Sequence, residues 1–217
     1  MQSLQERWYE LWDRIDSRGD PSIPLEDLTD RYNEPWRAHH TLAHIEAMFA
    51  DFDEFHKSEE ARSMDADIVQ MAIFYHDAVY DLRAKDNEEK SIELFRVVAE
   101  WSNFAEDFTE GVARAILATK HTELSTGFNC RVLSDLDLAI LGKPEAIFDE
   151  YERRIREEYN WVSEDRFRTG RLAIMEGFLG RPFVYGTQFF RGKYGRKARM
   201  NLLRSIKQLS ASPESDR

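Results

Sequence analysis

Apolar residues recur at helical spacing along nearly the whole chain. Leu4, Trp8, Leu11, Trp12 and Ile15 mark one face of a first segment, about residues 2–16. Gly19, Pro21 and Pro24 read as a loop. A second helix is expected from near Glu34 and Pro35 to about His56, and a third from about Asp65 to Tyr80. Asp86, with Glu89 three residues on, looks like the start of a helix reaching Trp101. Further helical patterns cover Thr109–Lys120, Arg131–Leu141, 144–161, 164–179 and about 191–209. Period-two alternation is weak throughout, so the pattern predicts one all-α domain over 1–217, a helical bundle with the N-terminal helix packed on a core of about 31–210.

Composition agrees. The 217 residues include only 10 glycines and 6 prolines, which favours long helices over many short strands. No apolar run reaches the roughly 18 residues of a membrane span, and the N-terminal segment is too charged and aromatic for a secretory leader. Cys130 is the single cysteine, so an internal disulfide and a cysteine-rich zinc site are both excluded. A cytoplasmic location is the expectation, with no membrane partner. The net charge of −11 argues against a general nucleic-acid binder. Between Glu176 and Glu214 the chain carries basic residues and no acid; this tail reads either as a self-neutralising helix or as a phosphate-attracting face.

Three apolar faces carry polar residues that do not suit a core. Thr41, His44, Ile45, Met48 and Phe52 share a helical face. Val69, Ile73, His76, Asp77 and Tyr80 share another. Asp137 falls in line with Leu133, Ile140 and Leu141. An unpaired buried carboxylate is very costly, so these acids need strong partners. A divalent metal would satisfy two imidazoles and two carboxylates together. A closed His–Asp hydrogen-bond network is the alternative without a metal.

The order His44, then His76-Asp77, then Asp137, in an all-α chain, resembles the HD superfamily of metal-dependent phosphohydrolases. The segments RAHHTLAHIEAM, AIFYHDAVYDLRAKDNEEKS, ILATKHT and SDLDLAILG are similar to a largely uncharacterised bacterial group within it, over about residues 31–210. The resemblance implies an HD-type bundle in which His44, His76, Asp77 and Asp137 ligate one divalent ion, manganese, iron, zinc, nickel or magnesium. Asp137 is preferred to Asp135 because it lies on the apolar stripe and is followed by Leu138. It also implies hydrolysis of phosphate esters or anhydrides, with a nucleotide-type small molecule as substrate and partner.

Further candidates surround this set. Asp81, one helical turn past Asp77, is a candidate base or water-orienting group in a segment similar to the HD-x-V-E-D stretch of guanosine tetraphosphate hydrolases; Tyr80 stands at its glutamate position. Asn87 and Glu88 approach the site by resemblance, and by local physics they open a helix. His40 lies four residues before His44 and would face substrate or the metal's surroundings; the residue after it is Thr41, which excludes a zincin protease motif. His39 and His56 read as surface. Lys120, His121, Arg31 and Arg37 are candidate phosphate contacts, with His121 also a candidate second-metal ligand. A non-catalytic metal or nucleotide sensor, a di-iron oxygenase and a nucleic-acid module using the basic tail are the competing functions.

Overall fold

The computed structural model describes residues 2–122 and 126–211. The described residues form ten α-helices joined by turns and three short 3-10 segments, with no strand among them, as the periodicity predicts. No described helix is long and apolar enough to cross a membrane. The chain divides into two compact units, Met1–Asp137 and Leu138–Arg217.

The first unit holds α1 (Leu4–Arg14), α2 (Ser22–Tyr32), α3 (Leu42–Phe55), α4 (Ala66–Tyr75), α5 (Asn87–Trp101), α6 (Glu106–Leu117) and α7 (Phe128–Asp137). α4 is its central strut. Every residue from Val69 to Tyr75 is buried, as an all-round apolar helix requires. Asp65 caps its start by accepting from the Asp67 and Ile68 amides. Phe74 meets Trp8 edge-on at 5.0 Å and Phe49 at 4.9 Å, and Tyr75 meets Phe95 at 5.1 Å. These rings tie α1, α3 and α5 to α4. Gly111 allows α6 its close approach, since a Cβ there would lie 2.5 Å from Ile68 Cδ1.

The second unit holds a 3-10 turn (Leu138–Gly142), α8 (Glu145–Glu158), α9 (Glu164–Gly180) and α10 (Gln188–Ser210). α10 satisfies the carbonyls of that turn. Asn201 Nδ2 donates to Leu141 O at 2.9 Å and Lys143 O at 3.0 Å, and Tyr185 Oη donates to Leu138 O at 3.1 Å. The basic tail is partly consumed internally. Arg191 lies 4.1 Å over the Phe183 ring and donates to Tyr185 O, while Arg204 pairs with Asp149. Tyr185 and Phe190 are core; Phe183 is exposed.

Three element boundaries differ from expectation. The Pro21–Pro24 loop is largely α2, because Pro24 sits in its first turn, where a missing N–H costs nothing. α3 begins at Leu42 rather than near Glu34, since the His40 carbonyl accepts from Arg37 Nη1 at 3.2 Å. α4 ends at Tyr75 rather than Tyr80. The Asp77 carbonyl that would continue the helix accepts from Arg37 Nη1 at 2.7 Å, and the Asp81 amide donates instead to Asn87 Oδ1.

Tyr75 carries a fully buried hydroxyl with no hydrogen-bond partner among the described residues. Such a group costs about 1–3 kcal/mol. Tyr75→Phe is therefore expected to raise the melting temperature; a clear loss of stability by calorimetry would show that the hydroxyl has a partner.

Candidate metal centre

His44 stands on the first full turn of α3, and His76 and Asp77 form the turn that leaves α4. Asp137 is the last residue of α7. Three elements of the first unit thus deliver four side chains to one point. His44 Nε2 lies 3.2 Å from His76 Nε2 and 3.2 Å from Asp137 Oδ1. His76 Nε2 lies 3.0 Å from Asp77 Oδ2 and 3.8 Å from Asp137 Oδ1. His44 Nε2 and Asp77 Oδ2 are 4.0 Å apart. His44, His76 and Asp77 form a group that can hold a metal ion. The separations within that group fit one: N and O atoms bound at about 2.1 Å to one cation sit roughly 3.0–4.2 Å from each other, depending on geometry, and Asp137 Oδ1 stands against the two histidines outside that group.

The histidines are oriented for this. His76 Nδ1 is 3.0 Å from the Ile73 carbonyl. A carbonyl only accepts, so Nδ1 carries the proton and Nε2 faces the cluster. Asp137 is held at its other oxygen. His121 Nε2 donates to Asp137 Oδ2 at 2.7 Å, and the Ser134 hydroxyl lies 3.0 Å from His121 Nδ1. His121 does this from a left-handed backbone conformation, φ +53°, which costs a non-glycine residue about 1–3 kcal/mol. Both of its nitrogens face side chains of α7, so it sits as a support for Asp137.

The charges are strongly coupled. Burial works against a charged His76, but Asp77 beside it carries its pKa up to about 9. Burial also disfavours the Asp77 and Asp137 carboxylates. His76 nevertheless lowers Asp77, and hydrogen bonds from His121 and His44 lower Asp137. Glu88 moves the other way: burial raises it, and the Asp77 charge adds to the rise.

The remaining candidates divide clearly. Glu88 stands half-buried in the first turn of α5 and within the field of Asp77. Lys120 pairs with Glu89. Asp81 is exposed; its Oδ1 accepts from the Arg83 amide, and Asn87 clasps its backbone at both N–H and C=O. Arg31 pairs with Asp27 on its own helix and is not brought to the site. Arg37 has a fully buried side chain and donates to Glu34 and to the carbonyls of His40, Asp77 and Ala78, so it braces the turn and does not reach outward. His40 is not on the helix of His44; its ring lies 5.9 Å from that of His44 and 4.3 Å from that of Tyr80. His39, expected at the surface, is buried, which pushes its pKa well down. His56 is exposed, as expected. Asp135 is buried on α7, while the carboxylate that meets the histidines belongs to Asp137.

Sequence reasoning passed over Ser134. No protein-family model matches the chain, and no curated protein or solved structure does either.

The geometry sets two expectations. His121→Ala should weaken zinc or manganese binding about 10- to 100-fold without unfolding the chain, as loss of a ligand's outer support does; unchanged affinity in a chelator competition would remove the supporting role. Zinc or manganese must also displace the His76 proton, so apparent affinity should rise about tenfold per pH unit up to about pH 9 and then level off. A flat profile below that point would contradict a protonated His76.

Proposed function

We propose that this chain is a metal-dependent hydrolase of phosphate esters or anhydrides acting on nucleotide-type substrates. The convergence of His44 Nε2, His76 Nε2, Asp77 Oδ2 and Asp137 Oδ1 from three separate elements carries this reading. The order of these residues along the chain, resembling that of HD-type phosphohydrolases, supports it. His44, His76, Asp77 and Asp137 would hold the ion. Bound there, a divalent ion acidifies a water and polarises a phosphoryl oxygen.

The chain's own groups supply the rest. Glu88 is the better placed proton acceptor of the two acids considered. Its raised pKa brings it nearer to the working pH of a general base, and its carboxylate takes the water proton. Asp81, exposed and committed to the loop, shapes the turn that presents Asp77. Lys120, drawn to Glu89 in the next position, keeps a cation near the same helix end, where it offsets charge on phosphoryl oxygens. His121 holds Asp137 Oδ2, leaving Oδ1 toward His44, where it would be available to the ion.

The test is metal content by elemental mass spectrometry on chain purified without added metal or chelator, followed by a phosphohydrolase panel with the metal found. About one equivalent, nucleotide turnover, and loss of both in His76→Ala and Asp77→Ala are expected. Metal bound without turnover of any phosphate substrate would convert the reading to a metal-dependent sensor. Turnover that persists in the metal-free double variant would overturn the mechanism.

A further inference from the structure

α10 carries basic residues and no acid along its whole length. Arg191 is taken up by the Tyr185 and Gly186 carbonyls, and Arg204 by Asp149. Arg196 and Lys197, both exposed, have no hydrogen-bond or ion-pair partner among the described residues. The acids of neighbouring α8 are committed elsewhere: Glu150 to Arg153 and Arg154, Glu152 to Arg171, and Glu157 to Arg153. The two cations are not scattered over an open face. Both line a cavity of about 410 Å³ within the second unit, together with Lys143 and the start of α8. That volume lies in the range of small-molecule sites.

Lys143 enters as a third cation, its Nζ donating at 2.7 Å to the neutral Tyr194 hydroxyl. Glu145 also lines the cavity, but it pairs with neither Arg196 nor Lys197, and its charge acts on Arg204. Pro144 gives α8 no side-chain cap, and the Ile147 and Phe148 amides both turn to the Pro144 carbonyl. The Glu145 and Ala146 N–H groups of that first turn add positive potential to the same wall. Asn201 Nδ2 donates to the Leu141 and Lys143 carbonyls, so α10 and the turn before α8 hold one position. Like charges gathered on a concave wall repel one another, and the wall concentrates their field. An entering anion removes that repulsion. We propose that this cavity binds a compact multivalent oxyanion of the phosphate type, at a site separate from the metal cluster. All four donors of the cluster belong to the first unit, so this site does not rest on the hydrolase reading. Arg196 supplies a planar fork of donors and Lys197 a point charge. None of the residues lining the cavity is aromatic, so the site reads the charge of the anion and offers no ring to stack a base.

The experiment is calorimetric titration of the full chain, stripped of metal, with inorganic pyrophosphate at about 0.15 M salt, where diffuse surface attraction is screened. Saturable binding of one equivalent is expected. Arg196→Ala and Lys197→Ala should each weaken it about tenfold, the low end for a charge-assisted contact. Lys207 is an exposed cation of α10 outside the cavity, and Lys207→Ala should change the affinity less than about twofold. All three variants shorten exposed side chains, and thermal melting followed by circular dichroism verifies that each keeps the fold. Adenosine diphosphate should bind no tighter than pyrophosphate. Absence of saturable pyrophosphate binding would overturn the site. So would an equal loss in Lys207→Ala and Arg196→Ala, which is the mark of diffuse attraction. A clear preference for adenosine diphosphate would overturn the reading of charge alone. A single-stranded oligonucleotide held through Arg196 and Lys197, and not displaced by pyrophosphate, would replace the compact site with an extended strand surface.

Discussion

The Arg37 guanidinium, with its side chain wholly out of water, organises the first unit around the cluster. It donates to Glu34 in its own turn, to His40 just before α3, and to the carbonyls of Asp77 and Ala78 just after α4. Those carbonyls would otherwise be needed for helical bonds. By occupying them, one side chain ends α4 and delays α3. The His76–Asp77 pair is left in a turn where both side chains reach the same side. Each buried acceptor abandoned without it would cost on the order of 1–3 kcal/mol. Lysine would not serve equally, since it is a single ammonium without the fixed fork of donors.

Around that brace, the aromatic core supplies rigidity and the polar groups supply direction. Trp8, Phe49 and Phe95 clamp the C-terminal end of α4 at Phe74 and Tyr75, so its last residue is an accurate platform for the His76–Asp77 turn. His76 is locked by Ile73 below it, Asp137 by His121 beside it, and the Asp77 backbone by Arg37. The His76 ring, the Asp137 carboxylate and the Asp77 backbone thus each have a second contact that holds them. This is the support a first set of ligands needs if it is to hold a geometry rather than sample several.

Much of this was legible in the sequence, and the failures share a cause. Periodicity gave the helical class and placed His44, His76, Asp77 and Asp137 on inward faces, because burial of a stripe is a local property of spacing. It extended α4 through Asp77 to Tyr80 and put His40 on the same helix as His44, because nothing local shows that Arg37 takes carbonyls 40 and 41 residues away. Pro24 hid α2, since proline punctuates loops and first turns alike. His39 looked like surface because its burial is tertiary. His121 was read as a group reaching for phosphate; its left-handed backbone, which turns it onto Asp137 and Ser134, leaves no composition signal.

The four side chains frame two readings, a metal centre and a closed hydrogen-bond network. In a network, each donor faces an acceptor and the pairs close on themselves. Here His44 Nε2 lies near three atoms at once: His76 Nε2, Asp137 Oδ1 and, at 4.0 Å, Asp77 Oδ2. His76 Nε2 has the same three kinds of neighbour. Each nitrogen carries at most one proton in that direction, since His76 Nδ1 already donates to Ile73. Two protons serve two contacts well and leave the others poorly aligned. A single divalent cation at the proposed centre would take up the His44, His76 and Asp77 donor atoms together and offset the carboxylate charge. The proposed function rests on the coordination reading of these donors; the same distances also allow a hydrogen-bonded His–Asp network.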